Sequence, residues 1–381
     1  MSTMKNIYTY IGILIVIVAA FLIKGPVHNR EETNVPIRIG ASLSLTGVAA
    51  DFGGMAKKAA DLAVKEINAE GGINGRKIEL YVEDDQTDPK TAVSAYRKLV
   101  DVHNVDAVIG GIFDFTAQPV LPLALKDKVT YVSPVNFVID GTFEMNPYTF
   151  VMYPEFPQVI RELDTVIKDK KIKQLGMIRY DSGFSASIEK TLKSIMSSIG
   201  GDMVTETYKA IGSSDFRTNV LKITDASLGD KKVDAVFLDM LDFDIVKYLA
   251  DTKNLGFNKQ LVGYTTMRDV LSNPKVDKSQ IEGAIMIDWE IPSDEFIKRF
   301  VHAYGEKPRR GANKTYDAIY MLAEAIAHTE DRQSVPEYIK SNSFNTIGGQ
   351  FKFNEKHSVL TTPVKIFEIR NGVLVELKSN Q

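Results

Sequence analysis

Residues 105–119, VDAVIGGIFDFTAQP, constrain the fold of this chain more than any other stretch. They begin as an apolar run typical of a buried strand, and two glycines, Gly110 and Gly111, follow where that strand should end. Thr116 can then cap a helix, and Pro119 is tolerated in a first helical turn. This order of elements predicts a βα unit of an open parallel sheet. Ligands bind at the carboxyl ends of such strands, and free backbone N–H groups there favour an anion such as a carboxylate.

The same alternation of strand and helix patterns continues along the chain and predicts an α/β fold. Before residue 150, strand patterns occur near residues 37–43, 77–84 and 128–133 as well. A second series begins near residue 174, and its strand at residues 233–239, VDAVFLD, echoes the earlier VDAVIGG. Crossovers between parallel strands are right-handed, so all strand ends of one sheet face one edge. The tail is all β, with an Asn-Gly hairpin turn.

The N-terminus carries an apolar segment, residues 7–23, that lies between Lys5 and Lys24 and contains no charge. Its length is at the short limit for a membrane span and exceeds the usual core of a signal peptide. We therefore favour an uncleaved anchor helix, and cleavage after Ala20 is the alternative. Residues 24–36 have the composition of a polar linker.

Composition and motifs exclude or disfavour several classes of protein. The 381 residues include no cysteine, which excludes disulfides, thiolate metal sites and a cysteine nucleophile. The formal net charge is -3 and no basic patch carries interleaved aromatic residues, so we expect no nucleic-acid partner. P-loop, G-x-S-x-G and H-E-x-x-H motifs are missing, and the five histidines are scattered. We therefore expect no enzymatic activity, no metal and no cofactor.

Several motifs together carry a family resemblance. They are Ile39-Gly40 with Leu45-Thr46-Gly47, EINAEGGING at residues 66–75, Asp84-Asp85 with Asp88-Pro89, Val108-Ile109-Gly110-Gly111 with Gln118-Pro119, and Ser133-Pro134. Through them the chain resembles, from residue 37 nearly to its end, the type I periplasmic solute-binding proteins of ABC importers. The Leu/Ile/Val-binding branch is the closest group. EINAEGGING is the most specific of these motifs, and the resemblance is dense to residue 135 and looser afterwards.

The resemblance implies two Rossmann-like lobes, joined by a three-segment hinge, that close on a ligand in the cleft. We assign residues 1–35 to the apolar helix and linker. The N-lobe comprises residues 36–152 and about 289–347, and the C-lobe comprises residues 153–288 and about 348–381.

The resemblance also implies which residues bind the ligand. In the N-lobe, Phe52 covers the ligand, backbone N–H and hydroxyl groups of residues 113–116 meet its carboxylate, and a second contact follows Ser133-Pro134. The N-lobe contacts are Phe52, Phe113, Asp114, Phe115, Thr116, Asn136 and Phe137. In the C-lobe, Phe184 provides a second aromatic cover, and two strand-end loops face the cleft. The C-lobe contacts are Phe184, Asp239, Asp242, Tyr264 and Thr265.

Three of these positions depart from the pattern of amino-acid binders in the family. Asp114 stands where serine or threonine is usual, Phe137 where threonine is usual, and Thr265 where an acidic residue often holds the ammonium group. An aspartate beside a ligand carboxylate is repulsive. Either Asp114 points away, or it holds a cationic group, or the ligand is not a simple α-amino acid. Asp239 or Asp242 can replace the missing acidic partner.

Together these features predict an extracytoplasmic, membrane-tethered monomer that binds an amino acid or a similar small polar ligand. It would deliver this ligand to an ABC permease in the membrane; a cleaved segment would leave it secreted or periplasmic. Two alternatives remain open: a ligand-sensing ectodomain with a separate signalling partner, and a binder of amides or of another ligand that is not an amino acid.

Overall fold

The computed structural model describes residues 35–136, 146–209, 211–225, 227–228, 231–360 and 364–377. The apolar segment at residues 7–23 lies outside these ranges. Within them, no helix combines the length and the apolar character needed to span a bilayer.

The first part of the chain alternates strands with helices around a parallel sheet. Its elements are β1 (Ile37–Leu43), α1 (Ala50–Ala69), β2 (Ile78–Asp84), α2 (Pro89–Arg97), β3 (Ala107–Gly110), α3 (Asp114–Ala117), α4 (Leu121–Asp127), β4 (Thr130–Ser133) and β5 (Thr149–Val151). The described strands pair in the order β2-β1-β3-β4-β5, all parallel. Every residue of β3, β4 and β5 is buried, as expected of strands covered on both faces. We call this sheet and its helices the first lobe.

A second series of the same kind follows. Its elements are α5 (Phe156–Arg161), α6 (Leu163–Asp169), β6 (Gln174–Tyr180), α7 (Gly183–Ser198), β7 (Asp202–Tyr208), α8 (Arg217–Asp225), β8 (Ser227–Leu228), β9 (Lys231–Lys232), β10 (Ala235–Asp239), α9 (Asp242–Asn254), β11 (Gln260–Tyr264), α10 (Thr266–Ser272) and β12 (Ile285–Asp288). The strands β7, β6, β10, β11 and β12 pair side by side and parallel. This sheet and its helices form the second lobe.

The last part of the chain contributes to both lobes. Its elements are α11 (Asp294–Tyr304), α12 (Ala312–His328), α13 (Val335–Ser341), β13 (Phe344–Thr346), β14 (Gly349–Phe351), β15 (Lys365–Arg370) and β16 (Val373–Leu377). Helix α12 packs against α1 and β1 of the first lobe, whereas β15 joins β12 and β16 joins β15, both antiparallel, in the second sheet. Within the described ranges the chain therefore passes between the lobes after β5, after β12 and after β14.

Local signals in the sequence are confirmed at several turns. The Asp88 side chain accepts hydrogen bonds from the N–H groups of Lys90 and Thr91, with Pro89 in the first turn of α2. Asn371 and Gly372 both have positive φ and join β15 to β16. The predicted cap at Thr116 is wrong. Helix α3 begins at Asp114, so Thr116 lies inside it.

Aromatic residues beside two of the crossing segments connect the lobes. Tyr153 follows β5, and Trp289 follows β12, and both side chains are almost fully buried. The Phe156 ring lies 5.2 Å from the Trp289 ring, and the Tyr153 ring lies 5.9 Å from it, in edge-on geometry. One apolar cluster thus extends from the first sheet into the second lobe.

Candidate functional site

A cavity lies between the carboxyl ends of the two parallel sheets. Its empty space measures ≈ 900 Å³, which includes solvent at its open mouth. Residues that follow β3, β4 and β5 line it from the first lobe, and residues at the ends of β6, β7, β10, β11 and β12 line it from the second. Aromatic side chains dominate the lining: Phe52, Phe113, Phe115, Tyr153, Tyr180, Phe184, Tyr208, Tyr264 and Trp289. This is the position at which open α/β sheets bind ligands.

Two glycines bring the first lobe to the cavity. A Cβ on Gly110 would lie 2.8 Å from the Ser42 carbonyl oxygen, and Gly111 has φ +69°, so the chain can turn sharply only without side chains here. The Ser133 hydroxyl donates to the Gly111 carbonyl over 2.7 Å and fixes the turn from the next strand. The turn places Ile112 and Phe113 on the cavity wall.

The groups expected to receive a ligand carboxylate in the first lobe are already occupied. The Phe115 N–H donates to Oδ1 of the Asp114 carboxylate over 2.9 Å. The Thr116 hydroxyl is fully buried and donates to the Phe113 carbonyl over 3.0 Å. Burial of Asp114 raises the pKa of its carboxyl, partly offset by the hydrogen bond from Phe115. The sequence predicted that residues 113–116 bind the carboxylate of a ligand. In the structure this corner of the cavity instead carries a carboxylate of its own, that of Asp114.

Asp239, the last residue of β10, supplies a second carboxylate from the opposite lobe. It is 3% exposed, and the Tyr264 hydroxyl donates to its Oδ1 over 2.8 Å. Its Oδ2 is buried and accepts no hydrogen bond of normal geometry from the described residues, although the Ser185 hydroxyl is near enough to favour the charged form. Burial raises the pKa of Asp239 to about 6, against the opposing effects of Ser185, Tyr264 and Arg179. The charge of Asp114 adds to this rise, so the two carboxylates interact.

Arg310 is the cation of the cavity lining, and it lies in a local network of its own. Its guanidinium carbon is 4.5 Å from the centre of the Phe52 ring. Burial of Glu290 raises the pKa of its carboxyl, and the Arg310 charge is the strongest influence against that rise. The Gly311 N–H donates to Oε1 of the Glu290 carboxylate. For Arg310, burial lowers the pKa, but Tyr153, Asp269 and Glu290 outweigh this effect, and its pKa is raised overall.

The cavity brings together most of the residues that the sequence singled out. Those that line it are Phe52, Phe113, Asp114, Phe115, Asn136, Phe184, Asp239 and Tyr264. Thr116 does not line it, because its hydroxyl turns back to the main chain. Asp242 and Thr265, which stand at the starts of α9 and α10, line a different groove together with Arg268. Phe137 lies outside the described residues.

Several lining residues were not predicted from the sequence. Tyr180 and Tyr208 end β6 and β7, so the rule that strand ends face the site could have identified them. Ser182 precedes α7, where its hydroxyl accepts from the Ser185 N–H over 3.1 Å. Arg310 lies in a loop about 70 residues after β10, and no local pattern points from that loop to the cavity.

Comparisons with known proteins agree with this architecture. Residues 36–373 match a family model described as periplasmic binding protein. A Leu/Ile/Val-binding protein of Citrobacter freundii is 23% identical over 357 residues, which cover 90% of this chain and 93% of that protein.

Two solved structures share the fold. One is the branched-chain amino acid transporter substrate-binding protein LivJ of Streptococcus pneumoniae in complex with isoleucine; its TM-score is 0.77 at 23% identity, with 90% of this chain and 100% of that chain covered. The other is an ABC transporter solute-binding protein of Rhodopseudomonas palustris BisB5 in complex with 3,4-dihydroxybenzoic acid. Its TM-score is 0.78 at 20% identity, and the match covers 90% of this chain and 96% of that chain. The expected two-lobed type I α/β fold is confirmed. The chain belongs to the periplasmic binding protein family, whose members bind solutes.

Proposed function

We propose that this protein is an extracytoplasmic solute-binding protein that captures an amino acid or a similar small polar compound for ABC-type import. One observation carries the proposal. Nine aromatic side chains and two carboxylates, those of the half-buried Asp114 and the buried Asp239, line one cavity at the carboxyl ends of both parallel sheets. Such a cavity has the size and the mixed apolar and polar character of small-molecule sites.

The ligands of similar proteins support a compound of this size. The S. pneumoniae protein holds isoleucine and the R. palustris protein holds 3,4-dihydroxybenzoic acid. Each ligand joins a small apolar body to a charged group. The aromatic walls here suit the apolar body, and Asp114, Asp239 and Arg310 are the charged groups available to the polar end.

Function in import would also require lobe closure, and we propose the passages between the lobes as the hinge. The Val151 N–H donates to the His357 carbonyl over 2.9 Å, so the segment after β5 runs beside the segment after β14. Few main-chain torsions at these passages need to change to rotate one lobe on the other. The apolar segment at residues 7–23 would tether the protein beside a permease.

Titration of the purified full-length protein tests the proposal. Amino acids, amides, aromatic carboxylates and amines would be screened by thermal shift, because a ligand at a hundred times its dissociation constant adds about 2.7 kcal/mol to the free energy of unfolding. Hits would be confirmed by calorimetry, and small-angle X-ray scattering would report a smaller radius of gyration on closure. Stability unchanged by every compound would contradict a solute-binding role.

Import and sensing are separated by a cellular measurement. Deleting the gene from its host should abolish high-affinity uptake of the radiolabelled hit, and a plasmid copy should restore it. Normal uptake in the deletion strain, together with a lost transcriptional or chemotactic response to the hit, would favour the ectodomain alternative.

A further inference from the structure

We propose that the ligand is an organic ammonium compound without a carboxylate, bound between Asp114 of the first lobe and Asp239 of the second. The inference rests on the proposed solute-binding function and names the ligand class of that same site. Three features of the cavity carry it: several hydrogen-bond donors near the two aspartates are already used, the buried Oδ2 of Asp239 accepts no hydrogen bond of normal geometry from the described residues, and the nearby Arg179 and Arg268 are paired with other carboxylates.

Several hydrogen-bond donors near the two aspartates are committed within the protein. The Phe115 N–H donates to Asp114, and the Tyr264 hydroxyl donates to Asp239. The Ser182 hydroxyl donates to the Ser185 hydroxyl over 3.1 Å, and the Tyr208 hydroxyl donates to Asp244 over 3.3 Å. A ligand carboxylate between Asp114 and Asp239 would lie beside two acidic groups. Such an arrangement is electrostatically unfavourable, above all beside the buried Asp239.

Acceptor capacity, by contrast, remains available. Asp239 is 3% exposed, and its Oδ2 lacks a hydrogen bond of normal geometry from the described residues. An unsatisfied buried carboxylate oxygen is costly, and the raised pKa values of Asp239 and Asp114 reflect burial of charge without a matched cation. An ammonium group in the cavity offers three N–H donors and a positive charge, so it satisfies both needs.

The arginines near the cavity do not supply that charge. Arg179 attracts Asp239, but its Nε donates to Glu189 over 2.8 Å and its Nη1 donates to the Tyr180 carbonyl. Arg268 forms an ion pair with Asp288. Arg310 interacts with Glu290 and Asp269 and lies over the Phe52 ring. Arg179 and Arg268 thus have carboxylate partners other than Asp114 and Asp239, and the charge of Arg310 interacts with Glu290 and Asp269.

Aromatic walls complete the match to an amine. Phe113 and Phe115 are the sequence neighbours of Asp114, and their rings stack with centroids 5.2 Å apart. Tyr180 and Phe184 line the cavity from the second lobe, close in sequence to Ser182. Aromatic faces attract ammonium groups, and they also bury the hydrocarbon body of a ligand. A zwitterionic amino acid would instead place its carboxylate near Arg310, beside the Glu290 charge.

The test uses matched probes that share one carbon skeleton. For an aromatic body these are 2-phenylethylamine, phenylalanine and 3-phenylpropanoate; for an aliphatic body they are 3-methylbutylamine, leucine and 4-methylpentanoate. Calorimetry on the full-length protein at neutral pH measures each affinity. We expect at least one amine to bind about tenfold or more tightly than its amino acid, and the matching carboxylates to show no saturable binding.

Charge-removing variants then locate the interaction. Asp114→Asn and Asp239→Asn keep the size of the side chains, and each should weaken amine binding about thirtyfold or more. Each should also strengthen binding of the matching carboxylate, a gain that a loss of folding cannot produce. Asp181→Asn, an exposed neighbour of Tyr180 with the same change in charge, should alter amine affinity less than about twofold. Circular dichroism and thermal unfolding confirm that the variants fold.

Each other result overturns the inference. Tighter binding of an amino acid or a carboxylate than of the amines would show that Arg310 or a main-chain group dominates recognition. Amine affinity unaffected by both Asn variants, or no amine binding at all, would remove the assigned contacts. If a compound from the wider screen still binds in those cases, the solute-binding proposal stands while the ammonium inference fails.

Discussion

Residues 105–111, VDAVIGG, and residues 233–239, VDAVFLD, begin alike and end differently, one in each lobe. The aspartate near the start of each segment makes the same kind of hydrogen bonds to a neighbouring strand. The Asp106 N–H donates to the Arg38 carbonyl over 2.7 Å, and its side chain accepts from the Arg38 N–H over 2.9 Å. The Asp234 N–H donates to the Gln174 carbonyl over 2.7 Å, and its side chain accepts from the N–H groups of Lys173 and Gln174, both over 2.9 Å.

Their ends do different work. In the first lobe, Gly110 and Gly111 let the main chain approach its neighbours closely. In the second lobe the corresponding residues are Leu238 and Asp239. Asp239 places a carboxylate in the cavity. The comparison suggests that the shared aspartates hold neighbouring strands in place, while the divergent ends adapt each lobe to the ligand. Four predictions test this division, from the largest effect to the smallest.

Gly111→Ala should have the largest effect on stability. Gly111 has φ +69°, and an added Cβ would lie 2.6 Å from the Ala117 Cβ and 2.8 Å from the Tyr131 hydroxyl. Left-handed strain together with overpacking should cost about 3 kcal/mol or more. Gly256→Ala is the matched control, with φ +66° and open space around the new Cβ, and it should cost only about 1–2 kcal/mol. Urea denaturation measures both; equal losses would mean that the close approach is unimportant.

Asp239→Asn should stabilise the ligand-free protein in a pH-dependent way. The folded pKa of Asp239 is raised from 3.8 to about 6, so the folded state binds a proton that the unfolded state has released between these values. The stability that this group contributes is full below about pH 4 and is lost as the pH rises through about 6. Relative to wild type, the Asn variant should therefore gain on the order of 3 kcal/mol between about pH 4 and 7.5.

Asp181→Asn provides the baseline for this pH-dependent stability difference, because Asp181 is exposed. Its stability difference from wild type should stay nearly constant across the same pH range. A constant difference for Asp239→Asn as well would show that Asp239 is not strained by burial, and the contrast between the two strand ends would weaken.

The parts of the fold that the sequence predicts well are those governed by local pattern. Apolar runs such as β3 and β10, and the cap at Asp88, depend on neighbours in sequence, and the structure has them where they were predicted. Thr116 was misplaced because Asp114 itself begins the short helix α3. For the site, Asp114 and Asp239 were expected from the family resemblance, and both line the cavity, Asp114 after β3 and Asp239 at the end of β10. Arg310 reaches the cavity only through the tertiary path of the loop before α12, which no local pattern encodes.

Replacing the shared aspartates should cost stability in proportion to the hydrogen bonds they accept. Asp234→Ala removes two acceptor contacts to main-chain N–H groups and should cost about 2 kcal/mol, whereas Asp106→Ala removes one and should cost about 1 kcal/mol. Asn variants at either position retain a side-chain acceptor oxygen and should recover most of the loss. If Asp106→Ala instead abolished ligand binding while Asp234→Ala did not, the structural role assigned to both residues would be incorrect.

The smallest effect concerns two buried threonines that stand at similar places in the two lobes. Thr116 lies in the helix after β3, and its hydroxyl donates to the Phe113 carbonyl over 3.0 Å. Thr266 begins the helix after β11 and is equally buried, but its hydroxyl has no hydrogen-bond partner among the described residues. Replacement by valine keeps the shape in both cases. Thr116→Val should therefore lose about 1 kcal/mol, whereas Thr266→Val should be neutral or stabilising because it removes an unsatisfied polar group.

Thermal and urea unfolding of the two valine variants measure this difference directly. A loss at Thr116 alone would assign its hydroxyl to holding the turn that carries Phe113 and Asp114, rather than to the ligand. The ligand affinity of Thr116→Val should then follow its folding and change less than about threefold, since the hydroxyl does not reach the cavity. A large loss of affinity with unchanged stability would instead return Thr116 to the binding site, and with it the role of the first lobe as a receptor for a ligand carboxylate.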